Sequence, residues 1–126
     1  MKPFCEILNR KIMPAVKTYV ARKLVLQYGF TQLSAAKILG IKQTLVNYVV
    51  TGRRKVKYLD IIESIEGLRD FVDDMIIDIV NGSMNRFDQC RLCSYLISNE
   101  NIYRFILSAI GEEHVYVKPP FSKYTG

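Results

Sequence analysis

The amino-acid sequence predicts an all-α protein: an N-terminal bundle containing two short consecutive helices, followed by a helical C-terminal region. Three observations predict it. Apolar residues recur at three- and four-residue steps along most of the chain. Glycine closes most such segments, and hydroxyl or acidic residues open several of them. No segment alternates for long enough to read as a strand, Val115-Tyr-Val being too short on its own. With 126 residues, 49% hydrophobic and 24% charged, the chain suits one globular domain rather than a disordered segment. It is too short for an enzyme with separate cofactor and substrate domains.

The elements follow in order. Phe4, Ile7, Leu8, Ile12, Val16, Tyr19, Val20, Leu24 and Tyr28 predict a helix over residues 4–28. Pro14 lies inside it and predicts a break just before, because proline has no N–H to donate and its ring crowds the preceding turn. Gly29 is the candidate C-cap. Thr31 offers an N-cap hydroxyl for a short helix over residues 32–39, ended by Gly40. A second short helix spans about residues 43–50 before Gly52. The D-x-x-E of Asp60 and Glu63 has the form of a capping box and predicts a long helix to about Val80. Its apolar stripe is Ile61, Ile65, Leu68, Val72, Met75, Ile76 and Ile79. The acids Asp70, Asp73, Asp74 and Asp78 are read as a solvated face. Residues 90–97 predict a further helix. Asn99 or Asn101 can cap a last one through Ile110, with Ile102, Phe105, Ile106 and Ala109 as its buried face. An extended tail follows from residue 115.

Charge divides the chain. The total is +6, yet no acid occurs between Ile7 and Leu59. Residues 1–59 carry twelve Lys and Arg against Glu6 alone, a net +11; residues 60–126 carry six against eleven acids, a net −5. So concentrated a positive field suits a polyanion, because each neutralised phosphate releases a condensed counterion. The plainer alternative is a solvated basic surface balanced by the acidic half.

Residues 31–52 carry the informative motif. Two helices that cross through a tight turn need a small residue at the crossing, supplied by Ala36. The turn needs tolerance of positive φ, supplied by Gly40. Leu39, Ile41, Val46 and Val49 are apolar anchors for the second helix. Gln43, Thr44, Asn47 and Tyr48 are left facing outward, and such side chains can read base edges in a major groove. Over about residues 14–57 the chain resembles the helix-turn-helix of the phage-repressor-like (Cro/C1, XRE-type) regulators. The resemblance implies that Gln32 contacts a phosphate. It implies that Gln43, Thr44, Asn47 and Tyr48 enter the groove, and that Arg53, Arg54 and Lys55 grip the flanking backbone. Lys42 departs from the family, which usually has Ser or Thr capping there; it can bind phosphate at the same helix end.

Three cysteines remain. Cys90 and Cys93 form a C-x-x-C, and with Cys5 they give three thiolates for zinc or an iron–sulfur cluster, one short of a full set. His114, Asp88 or a partner subunit can supply the fourth ligand. The other reading is three reduced, mostly buried thiols. The layout also resembles small predicted archaeal regulators that combine a Pro-x-Cys-Glu-like start, here residues 3–6, with an XRE-type motif and a late C-x-x-C. That resemblance implies metal or redox sensing.

The sequence therefore predicts three regions: 1–58 for DNA binding, 59–114 for dimerisation and possible sensing, and 115–126 as the tail. The expected function is a sequence-specific duplex-DNA-binding transcriptional regulator, a repressor more than an activator, acting as a homodimer through residues 60–80 and 89–110. A protein–protein adaptor or antitoxin-like module is the alternative, and an RNA binder a third reading. No phosphate loop or Ser/His/Asp set points to an enzyme. The absence of a signal peptide and of a membrane-spanning apolar run sets the expected place as the cytoplasm, with no membrane partner.

Overall fold

A computed structural model describes residues 6–53 and 56–112, which hold seven α-helices and no strand. They are α1 (Met13–Arg22), α2 (Gln32–Leu39), α3 (Gln43–Val50), α4 (Leu59–Ser64), α5 (Glu66–Val80), α6 (Gln89–Ser98) and α7 (Glu100–Ala109). Helix α1 is the axis of the molecule. It packs against α2, α3, α4 and α5. Its buried residues run almost all the way round, from Met13, Ala15 and Val16 to Thr18, Tyr19, Val20 and Ala21. A helix that is apolar on nearly every side belongs in the middle of a bundle. One contiguous core joins both halves of the chain, from Leu8 and Val16 through Ile62 and Met75 to Leu96 and Ile106.

The predicted break at Pro14 takes another form. The chain stays helical through it, with a π-helical turn over Leu8–Ile12 and Pro14 in the first turn of α1. The Met13 N–H donates to the Leu8 carbonyl, five residues back. Widening the turn absorbs the proline without ending the helix. A second π-helical turn, Lys23–Gln27, ends the segment before Gly29, whose φ is +73°.

The long helix predicted from Asp60 is in fact two. Ile65 is extended, with φ −87° and ψ 103°, and separates α4 from α5. Asp60 lies inside the first turn of α4 and makes no side-chain cap; the N-cap position belongs to Tyr58. The kink lets Ile61 and Ile62 pack in one direction while Leu68, Val72, Met75, Ile76 and Ile79 face another. Gly67 sits just beyond it, where a Cβ would meet the Tyr95 hydroxyl at 3.2 Å. That close approach lets the hydroxyl donate to the Gly67 carbonyl at 3.0 Å.

The acidic face of α5 is only partly solvated. Asp73 accepts a 2.6 Å hydrogen bond from the Tyr19 hydroxyl, which ties α5 to α1. Asp78 accepts one of 2.8 Å from Arg91, which ties α5 to α6. Asp70 and Asp74 are exposed as expected. Phe71 stacks on Tyr95 at 4.0 Å between ring centroids, and the Arg91 guanidinium lies over the same Phe71 ring. Together these contacts clamp α6 to α5.

The last helix is rotated from its predicted orientation. Tyr103, Ile106, Leu107 and Ile110 are buried, while Phe105 is 55% exposed and Ala109 is also outside. Asn99 occupies the N-cap position without a side-chain hydrogen bond. Among the described residues, no helix is long and apolar enough to cross a membrane.

Candidate nucleic-acid interface

Helices α2 and α3 pack on each other and on α1, and each local feature has a cause in the sequence. The Thr31 hydroxyl accepts the Ser34 N–H at 3.0 Å and caps α2. Gly40 ends α2 in the left-handed region, with φ +67° and ψ 35°. Its neighbour Ile41 donates to the Ala36 carbonyl at 3.0 Å, which closes the turn. Ala36, Leu39, Val46 and Val49 are buried where the two helices and α1 meet. Ile41, expected as a full anchor, is only half-buried.

With Val46 and Val49 turned inward, the opposite edge of α3 is open. Gln43, Thr44 and Tyr48 are exposed, Tyr48 by 41%. Asn47 is half-buried because its side-chain amide donates to the Gln32 side-chain carbonyl at 3.2 Å. This contact joins a residue predicted to touch phosphate with one predicted to touch bases. Sequence spacing did not reveal it, since fifteen positions separate the two.

Lys42 stands at the N-cap position of α3 without capping through its side chain, which is exposed. The helix end that begins there is the positive one, where an anion is favoured. Arg53 is exposed after α3, held by its own N–H on the Tyr48 carbonyl at 2.9 Å. Arg54 and Lys55 lie outside the described residues. Among the described residues, Lys11 is the one basic residue of positions 6–53 that pairs with a carboxylate, Glu112 at 2.7 Å. Among the described residues, direct pairing of the basic half with the acidic half is thus confined to Lys11.

The cysteine residues are less complete. Cys90 is exposed and Cys93 half-buried, one turn apart at the start of α6. Asp88 is engaged as the N-cap of that helix, accepting the Arg91 N–H at 3.1 Å. Cys5 and His114 lie outside the described residues, and the described residues hold no group of three metal-ligating side chains.

Two titratable groups on α1 are shifted from their ordinary values. Burial lowers the Lys17 ammonium from its ordinary value, since a desolvated cation has lost its water. Tyr19 is pushed well above its ordinary value, first by burial, then by its hydrogen bond to Asp73 and by the charge of that carboxylate. Neither was singled out from sequence; the one signal was Lys17 on a largely apolar helix.

Compared with protein-family models, curated proteins and solved structures, the chain matches none.

Proposed function

We propose that the protein is a sequence-specific duplex-DNA-binding transcriptional regulator of the helix-turn-helix, XRE-type kind, with α3 as its recognition helix. One observation carries the reading: a polar edge of exposed Gln43, Thr44 and Tyr48 with half-buried Asn47, bordered by Lys42 and Arg53 without carboxylate partners among the described residues. Amide and hydroxyl groups on a helix edge suit base readout in a major groove, and unpaired cations beside them suit phosphate. The Gln32–Asn47 hydrogen bond supports it, because it restrains the asparagine side chain that would face the bases.

The working form is a homodimer, since one such unit contacts few bases and two half-sites need a two-fold partner. The apolar stripe of α5 is spent inside the protomer, which leaves Ile77 and the Phe105 edge of α7 as apolar surface in the expected region. A monomer in light scattering at micromolar concentration contradicts this part.

The test is a titration with random-sequence duplex DNA, single-stranded DNA and structured RNA at two salt concentrations. Duplex binding that weakens steeply with salt is expected. No duplex binding at low salt favours the adaptor or antitoxin-like reading, and preference for single strands or loops favours an RNA binder. Either result overturns the proposal.

A further inference from the structure

Behind α3, on the side away from Gln43 and Asn47, lies a cavity of about 620 Å³. Its apolar wall is Met13, Ile41, Leu45, Val49 and Val56. Arg10, Lys11, Lys17 and Lys57 also line it; Lys11 is paired with Glu112, and none of the other three pairs with a carboxylate among the described residues. Lys17 is half-buried on α1, so its ammonium is partly stripped of water with no counter-ion among the described residues. Tyr58 completes the lining from a left-handed backbone, φ +69°, the one non-glycine residue with positive φ among those described. Residues other than glycine seldom adopt that conformation. The volume lies within the range of pockets that enclose small organic ligands.

We propose that this cavity binds a small amphipathic carboxylate, with its aliphatic or aromatic body against Leu45 and Val49 and its anionic head on Lys17. The two requirements come from different walls. The apolar wall rewards removal of hydrocarbon from water. The unpaired cations select the charged head, because a carboxylate replaces the solvation that burial has taken from Lys17. A neutral molecule of the same length satisfies only the first.

Sodium octanoate and 1-octanol are the probes, titrated into the full ¹⁵N-labelled chain without DNA. Octanoate is expected to shift the amide signals of Thr18, Leu45 and Val49 saturably. 1-Octanol is expected to need a roughly tenfold higher concentration for the same shifts. Lys17→Met and Lys57→Met each remove one cation and keep an apolar stem. Lys17→Met is expected to weaken octanoate roughly tenfold and leave 1-octanol unchanged, and Lys57→Met to weaken octanoate less. Equal binding of the two probes, shifts away from the cavity, or octanoate binding untouched by Lys17→Met overturns the proposal. Because no DNA is present, this outcome is separate from that of the duplex titration.

Discussion

Replacing Tyr19 by phenylalanine removes one oxygen and little else. The ring stays in its buried place between α1 and α5, so no large cavity opens. What is lost is the 2.6 Å hydrogen bond to Asp73. A hydrogen bond to a charged acceptor contributes about 1.5–3 kcal/mol. Asp73 is only half-buried, and water can replace part of the lost partner, so the expected cost is ~1–2 kcal/mol. For a chain of this length that lowers the melting temperature by about 4–8 °C. The pH dependence sharpens the test. Burial and Asp73 raise the Tyr19 phenol in the folded state, so the folded protein holds this proton more tightly than the unfolded chain does. Its contribution is complete below about pH 10, the ordinary tyrosine value, and is lost as the pH rises beyond that. Thermal unfolding followed by circular dichroism, wild type against Tyr19→Phe, at neutral pH and near pH 11, measures both. The gap between the two proteins should be full at neutral pH and narrow in alkali. An unchanged melting temperature at neutral pH, or a gap that widens in alkali, refutes the reasoning.

Further outcomes follow from the same geometry. Gln43→Ala should cost ~1–3 kcal/mol at a selected duplex site and relax base preference there, read by competition binding. Arg53→Ala should weaken all duplexes alike and reduce the salt slope by about 1, read from affinity against salt concentration. Gly40→Ala meets open space but forces a side chain into φ +67°, so chemical denaturation should show a loss of ~1–2 kcal/mol. Leu92→Ala empties a fully buried position on α6 and should cost ~2–5 kcal/mol by the same measurement.

The legible parts of the chain were those governed by neighbours in sequence. Thr31, Gly40 and Gly29 act through hydrogen bonds and φ angles that span a few residues, and their roles could be read directly. The outward placement of Gln43, Thr44 and Tyr48 followed from helical period once Val46 and Val49 were assigned inward. Asp60 misled because a D-x-x-E pattern is local, whereas the kink at Ile65 answers to two burial directions and to Tyr95 pressing on Gly67. Phe105 misled because several apolar residues shared α7, and period alone does not choose which of two adjoining apolar stripes meets the core.

Helix content, the caps at Thr31, Gly29 and Gly40, the basic first half and the polar edge of α3 were therefore written in the sequence itself, since each depends on residue type and short-range spacing. The tertiary structure decided which carboxylates of α5 are tied down, that Gln32 meets Asn47, that α1 is the central strut, and that a cation-lined cavity lies behind α3. These depend on groups far apart in the chain arriving at one place. Only packing of the whole core brings them together, because a side chain's partners are set by which surfaces exclude water jointly and not by its nearest neighbours along the backbone.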